Sequence, residues 1–154
     1  PITEDSHIVI VARDYAEKYT GTTNLEEACR IIHDRGALIA GVTDGANGSY
    51  FVWPDGTSYR CKPFPQDTVV DTTGAGDSFH GAFLARLVTC IRKTMDTAQT
   101  NMNGQEVLMH CAHIDLEHAA IFASAVASLN TQGIGGRTPL PSLESVLHLT
   151  GLES

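Results

Sequence analysis

Residues 71–83, DTTGAGDSFHGAF, decide the fold because they join a glycine-rich turn to an amphipathic helix and place an acid at the junction. Gly74 and Gly76 allow backbone dihedral angles that a side chain would hinder, and they let another molecule approach the peptide groups closely. Apolar residues then recur at helical spacing, which predicts a helix that begins near Gly76 or Asp77 and buries one face. That face carries Phe79, Phe83, Leu87 and Ile91.

The first turn of this predicted helix has the properties of an anion-binding site. Its backbone N–H groups lack acceptors within the helix, and the positive end of the helix dipole lies at the same place. A phosphate group is the usual occupant, and Asp77 would lie at the mouth of the site. A simpler interpretation stays open, in which Asp77 only caps the helix and the glycines only form a tight turn. A Walker loop is excluded, because Gly-Lys-Ser/Thr occurs nowhere in the chain.

Composition limits the class of protein. A chain of 154 residues with 42% hydrophobic content predicts one compact domain. The net charge of −8 argues against a nucleic-acid partner, and no apolar run approaches the ~20 residues that cross a bilayer. Four scattered cysteines without paired spacing predict reduced thiols in a cytoplasmic protein. They are Cys29, Cys61, Cys90 and Cys111. The first residue is Pro1 rather than Met, which we interpret as a start inside a longer protein.

Strand and helix signals alternate before the glycine turn. Residues 8–11 form a β-branched run typical of a strand that is buried on both faces, and residues 37–43 form a second apolar run. Between them, Asn24 followed by Glu27 predicts a capped helix. This order is typical of an α/β fold with parallel strands covered by helices. Residues 50–53 and 58–61 then predict a β-hairpin, with Trp53 as a packed aromatic.

A second glycine turn occupies residues 43–48, TDGANG, directly after a predicted strand. Open α/β sheets bind ligands at the carboxyl ends of their strands, so this turn is a candidate ligand loop. A plain hairpin turn explains the same residues, and the sequence leaves both interpretations open.

The segment 93–112 is polar and longer than the usual connection of about 4–6 residues. It predicts a mobile surface insertion with a short helix near residues 107–110. The histidines and the cysteine between residues 110 and 118 suggest a metal site, but their spacing matches no closed zinc pattern. They are His110, Cys111, His113 and His118.

The run DTTGAGDSFHGAF resembles the C-terminal signature of the ribokinase (PfkB) family of carbohydrate kinases. The resemblance implies an α/β, Rossmann-like three-layer αβα ribokinase-type fold with a mainly parallel sheet, whose N-terminal half and lid are absent here. Residues 1–154 would then be the C-terminal, nucleotide-binding part of a single ribokinase-like domain. The expected activity is ATP-dependent phosphoryl transfer to a primary hydroxyl of a sugar or related small molecule.

Site residues follow from the same resemblance. It implies that Asp77 is the catalytic base and that residues 74–76 form the anion hole for the migrating phosphoryl group. The anion-hole residues are Gly74, Ala75 and Gly76. The residues implied in nucleotide binding are Thr43, Gly45, Gly48, Ser124 and Gly136.

The resemblance also implies ATP with Mg²⁺, and K⁺ in relatives that use a monovalent cation. The cation residues would be Asp71, Thr73, Asn130, Gly133 and Gly135. The sequence departs from the family where relatives often carry Asn-x-x-Glu, polar residues that help hold magnesium. Ala12 and Tyr15 stand at those two positions.

The implied partners are a sugar and ATP, with a homodimer for the full-length protein and no nucleic acid or membrane. Because most sugar-binding residues of relatives lie in the N-terminal half, this fragment alone is expected to be inactive. Two alternatives stay open. The chain could be a non-catalytic nucleotide-binding or interaction module, or a purely structural α/β domain.

Overall fold

The structure is a computed structural model that describes residues 5–98, 102–136 and 140–153. Its strands are β1 (Ile8–Ala12), β2 (Ile39–Thr43), β3 (Ser49–Val52) and β4 (Ser58–Cys61). Its α-helices are α1 (Arg13–Thr20), α2 (Leu25–Asp34), α3 (Ala75–Ala98), α4 (Gly104–His110), α5 (His113–Asn130) and α6 (Leu143–Thr150). A short 3₁₀ turn, Gly45–Asn47, connects β2 to β3.

The four strands form one mixed sheet in the order β1-β2-β3-β4. β1 and β2 are parallel, whereas the β2/β3 and β3/β4 pairs are antiparallel. The expectation of a mainly parallel sheet therefore holds only for the first pair of the described strands. The reason is connection length: α1 and α2 provide the crossover that parallel strands need, but the two later connections are short hairpin loops.

Helices cover both faces of the sheet, because successive strand residues point to opposite sides. On one face α1 and α2 pack against Val9, Val42 and Val52. On the other face α3 and α5 pack against a cluster that includes Phe51 and Phe83. The chain thus has the three αβα layers that the sequence predicts.

Local signals at the helix ends are confirmed. Asn24 caps α2 by accepting hydrogen bonds from the N–H groups of the next turn, and Ser142 caps α6 in the same way. Gly21 and Gly151 end α1 and α6 in the left-handed conformation. Trp53 is buried and stacks on Phe51 with ring centroids 4.9 Å apart, as expected for a packed aromatic.

Helix α3 differs from its prediction at both ends. It begins at Ala75, slightly before the predicted start, and continues to Ala98. Helix α4 then buries Val107 and Leu108 against the core, so much of 93–112 is regular and packed rather than irregular. Residues 99–101 lie outside the described residues, and the prediction that 93–112 is an insertion stays a prediction.

All four cysteines are buried free thiols. In the part of the chain that the structure describes, no helix combines the length and apolar character needed to cross a membrane.

Candidate active site

The glycine turn before α3 packs directly on the loop after α5. A Cβ atom at Gly74 would lie 2.4 Å from the Cα of Gly136, which is closer than real Cβ contacts allow. Gly74 also has a φ of 79°, in the left-handed region that favours glycine. Two segments about 60 residues apart in the sequence therefore meet backbone to backbone, and residue 74 has to be glycine for both reasons.

Asp71 joins the same two segments through its carboxylate. One oxygen accepts a hydrogen bond from the Thr73 N–H at 2.8 Å, and the other accepts from the Gly135 N–H at 2.9 Å. The hydrogen bonds from Gly135 and Thr73 lower the pKa of this carboxyl below its ordinary value, because they favour the charged form. The backbone N–H of Asp71 donates to the Thr131 carbonyl, which adds a third connection.

Asp77 lies in the first turn of α3 and is exposed. Because the helix begins at Ala75, Asp77 follows the N-cap position rather than occupying it. Within the residues that the structure describes, its carboxylate has no hydrogen-bond or ion-pair partner. Over the same described residues, the N–H groups of Gly76 and Asp77 also lack an acceptor. The turn thus combines two free backbone donors, the positive end of a helix and an unpaired carboxylate.

A cavity of about 500 Å³ lies beside this turn, between α3, α5 and α6. Asp77 and Gly136 line it together with apolar side chains that include Phe122, Val126 and Val146. The carboxylate is therefore next to a space large enough for part of a small molecule.

The second glycine turn forms the hairpin connection between β2 and β3. It closes on itself, because the Asp44 N–H donates to the Gly48 carbonyl at 2.8 Å and the Asn47 N–H donates to the Asp44 carbonyl at 2.9 Å. A Cβ atom at Gly48 would lie 2.3 Å from the Cys61 carbonyl oxygen, so this glycine is required by the packing of the hairpin. Beside Gly45, in contrast, there is open space. Thr43 lies at the end of β2.

An arginine holds this second turn from the adjacent strand end. A guanidinium nitrogen of Arg13 lies 2.9 Å from the Asp44 carboxylate, which also accepts from the Asn47 side-chain amide at 3.0 Å. Arg13 lies between Ala12 and Tyr15, the positions where the family pattern has metal-holding residues. A cation at this point does not suit a magnesium site.

Ser124 lies on the face of α5 that is directed at the sheet. Burial raises the pKa of the Cys61 thiol to about 11, and the nearby hydroxyl groups of Ser124 and Ser49 act in the opposite direction. The three side chains therefore lie close together where the β3/β4 hairpin contacts α5. This place is close to the second glycine turn, because Ser49 pairs with Thr43.

The predicted cation residues are partly assembled. Asp71, Thr73 and Gly135 are in direct contact, and Asn130 is fully buried at the end of α5 with an amide that has no partner among the described residues. The unpartnered amide of Asn130 and the Asp71 carboxylate supply oxygen atoms of the kind that fit a monovalent cation. For other metals, the described residues contain no group of three or more His, Cys, Asp or Glu side chains, including the 110–118 segment.

The sequence as a whole matches one family. The profile of the pfkB family carbohydrate kinases matches residues 2–143. The chain belongs to this family. The 5-dehydro-2-deoxygluconokinase of Bacillus subtilis is 34% identical over 156 residues, which cover 99% of this chain and 40% of that protein. The cytidine kinase of Thermococcus kodakarensis is 31% identical over 86 residues, which cover 52% of this chain and 31% of that protein.

Solved structures of the pfkB kinases' fold agree with this assignment. Arabidopsis thaliana ribokinase complexed with ribose and ATP superposes with a TM-score of 0.72 at 26% identity, covering 98% of this chain and 43% of that one. A Vibrio cholerae fructokinase shares the fold at 23% identity with a TM-score of 0.71, covering 94% of this chain and 40% of that one. The predicted ribokinase-type fold is confirmed. Among the relatives above, the chain spans less than half of their length.

Sequence reasoning missed two residues that shape this pfkB site. Arg13 holds the second turn. The sequence indicated it only as a basic residue between Ala12 and Tyr15, the two positions that depart from the family pattern. His80 contacts the first turn of α3 and also β1. Its signal was weaker, because the sequence shows the position of His80 on the helix but not its contact with a strand 70 residues away.

Proposed function

We propose that this chain carries the nucleotide-binding and base-bearing part of an ATP-dependent kinase that acts on a primary hydroxyl of a sugar or related small molecule. The observation that carries the proposal is the exposed, unpaired carboxylate of Asp77 beside the free N–H groups of Gly76 and Asp77. Free donors at a helix start favour phosphoryl oxygens, and an adjacent carboxylate can accept a proton.

In the proposed reaction, Asp77 accepts the proton of the substrate hydroxyl as its oxygen attacks the γ-phosphorus of ATP. The bond between that phosphorus and the β–γ bridging oxygen breaks, and ADP leaves. The negative charge on the transferred group is stabilised by the free backbone donors of Gly76 and Asp77, whereas the Ala75 N–H is bonded to the Thr72 carbonyl at 3.2 Å. Such transfer depends on positioning and charge stabilisation more than on covalent chemistry by the protein.

The nucleotide would lie between the two glycine turns, with Thr43, Gly45 and Gly48 on one side and Gly136 on the other. Ser124 would border the base of the nucleotide. The ribokinase of Arabidopsis thaliana, a structure with ATP and ribose, supports this arrangement by its fold. The sugar itself would be selected largely by residues that the matched relatives carry outside the region of similarity.

The residues of the proposed site fit a monovalent cation, but those after β1 do not fit Mg²⁺. A monovalent cation such as K⁺ would be held by Asp71 and Asn130 with loop carbonyls of Thr73, Gly133 and Gly135. When bound, it would supply positive charge next to the anion-binding turn. The residues after β1 do not fit Mg²⁺, since the Arg13 guanidinium is paired with Asp44 there. We therefore assign no protein carboxylate to magnesium.

Replacement of Asp77 by Asn tests the proposal. In the chain expressed with whatever residues flank it in its gene, we expect Asp77→Asn to lower turnover by about 10²–10⁴ without weakening ADP binding. Turnover is measured as ADP release with a panel of sugars and nucleosides. Asp96→Asn is the matched control, because Asp96 is an exposed acid on the same helix. Unchanged turnover in Asp77→Asn would remove the base assignment.

A non-catalytic nucleotide-binding module is the second candidate, and the Arg13–Asp44 pair is the observation that favours it. That candidate predicts stabilisation by ADP with no phosphoryl transfer to any acceptor. A domain with neither function would show no change of melting temperature with ADP, whereas a ligand at 100 times its dissociation constant adds about 2.7 kcal/mol of stability.

A further inference from the structure

His80 makes two contacts with backbone oxygens from different parts of the fold. Its Nδ1 lies 2.7 Å from the carbonyl oxygen of Gly76, in the first turn of α3. Its Nε2 lies 3.0 Å from the carbonyl oxygen of Ile10, in the middle of β1. The half-buried ring therefore bridges the start of the helix to the sheet.

The chemistry of the two partners determines the protons on the ring. A carbonyl oxygen only accepts hydrogen bonds, and a neutral imidazole has one N–H donor and one bare nitrogen. A neutral ring could satisfy one of the two oxygens, and its bare nitrogen would then point a lone pair at the other. Both hydrogen bonds form only when both nitrogens carry protons, and hydrogen bonds from a charged donor are the stronger kind.

We propose that His80 is a positioning residue whose doubly protonated ring fixes the first turn of α3 to β1 and adds positive charge beside the anion-binding turn. The ionisable side chain nearest along α3 is Asp77, which can balance this charge. The other element in contact with the ring, β1 (Ile8–Ala12), has no ionisable side chain. The Phe79 ring packs edge-on at 6.2 Å.

The hydrogen bond between His80 and the Gly76 carbonyl also affects a free N–H group of the turn. The carbonyl of Gly76 and the N–H of Asp77 belong to the same planar peptide group and point in opposite directions. A donor that holds the carbonyl therefore also fixes the direction of that N–H, which is one of the two free donors of the turn. A charged donor on the oxygen further polarises the peptide group and makes its N–H a better donor to an anion.

The protonation state can be measured without any ligand. In the ¹⁵N-labelled chain near neutral pH, long-range ¹H–¹⁵N spectra should give both ring nitrogens of His80 the shifts of protonated nitrogens. His110 is the matched reference, because its Nδ1 lies 2.7 Å from the Glu106 carbonyl four residues earlier and its ring is exposed. We expect one bare nitrogen in His110. One bare nitrogen in His80 would overturn the proposal.

The positioning role rests on the proposed function, and its test uses ADP. His80→Asn can donate to one carbonyl at most, so we expect its dissociation constant for ADP to rise about tenfold, with no change in His110→Asn. Equal ADP affinities in wild type and His80→Asn would refute the positioning role even if the ring is doubly protonated.

If the wild-type chain does not bind ADP, the proposed function fails. The ¹⁵N spectra still show whether the His80 ring bridges the two carbonyls. If His80→Asn does not fold, His80→Gln is used in its place. The ring signals of His80 in the wild-type spectra are then assigned through correlations with the backbone.

Discussion

The two glycine turns of this chain differ in whether their backbone N–H groups have hydrogen-bond acceptors. The turn at 43–48 closes on itself, with the N–H groups of Asp44, Asn47 and Gly48 all bonded to carbonyls within the turn. The turn at 74–77 leaves the N–H groups of Gly76 and Asp77 without acceptors in the described chain. The first arrangement makes a stable hairpin, whereas the second leaves donors free for the proposed anion site, and other parts of the fold hold this turn in place.

That support comes from distant segments. The turn at 74–77 is held by Gly136, by the Asp71 carboxylate and by His80. The turn at 43–48 is held by the ion pair between Arg13 and Asp44 and by the Thr43 hydroxyl, which donates to the Val11 carbonyl at 3.5 Å. Damage to these supports should therefore affect the turn at 74–77 strongly and the turn at 43–48 weakly.

Gly74→Ala should have the largest effect. The new Cβ would lie 2.4 Å from the Cα of Gly136, and the φ of 79° is unfavourable for alanine. We expect a loss of roughly 2–4 kcal/mol in the free energy of unfolding, measured with urea, together with loss of ADP binding.

Gly76→Ala is the control for this change, because a Cβ there meets nothing within 4 Å and the residue is helical. We expect it to be at least as stable as wild type, since alanine favours a helix over glycine by about 1 kcal/mol. If Gly74→Ala were as stable as Gly76→Ala, the contact between the two loops would not be a support of the turn.

Asp71→Asn should have a smaller effect that depends on pH. The folded state lowers the pKa of Asp71, so the charged carboxylate contributes stability above its ordinary pKa of about 3.9, and this contribution is lost as the pH falls through the lowered value. We expect a melting temperature a few degrees below wild type near neutral pH, and a difference that shrinks under acid conditions.

Thermal unfolding of both proteins between about pH 6 and about pH 2.5 measures this dependence. Asp67→Asn is the control, since Asp67 is an exposed acid shortly before the same turn. A gap between Asp71→Asn and wild type that stays constant across this range would mean that the carboxylate charge is not what holds Gly135 and Thr73.

The sequence predicted the features that depend on neighbouring residues. The cap at Asn24, the hairpin around residues 54–56 and the helix after the glycine turn follow from local spacing, and the structure confirms them. The resemblance pointed to the loops before α3 and after α5, and the structure brings these two loops into contact. What the resemblance could not provide was contacts between distant segments, such as Gly74 on Gly136. It also missed the antiparallel direction of β3, because the turn at 43–48 fitted both a ligand loop and a hairpin.

Arg13→Met should have the smallest effect. It removes the ion pair with Asp44 and a longer one with Glu17 at 3.7 Å in α1. The guanidinium lies 2.9 Å from an Asp44 side chain that is only 12% exposed, whereas Arg13 itself is 40% exposed. Partly exposed ion pairs contribute about 0.2–1 kcal/mol, so we expect a stability loss in that range and ADP affinity reduced by at most about fivefold.

Arg30→Met is the matched control, because Arg30 pairs with Glu26 at 3.1 Å and both side chains are about half exposed. If the 43–48 turn contacts the nucleotide, titration with ADP should separate the two variants while urea unfolding does not. If Arg13→Met and Arg30→Met bind ADP equally, the turn is only a hairpin connection, because loss of the ion pair that holds Asp44 would then leave the nucleotide site unchanged. In that case the turn at 74–77 would serve binding, and the turn at 43–48 would be purely structural.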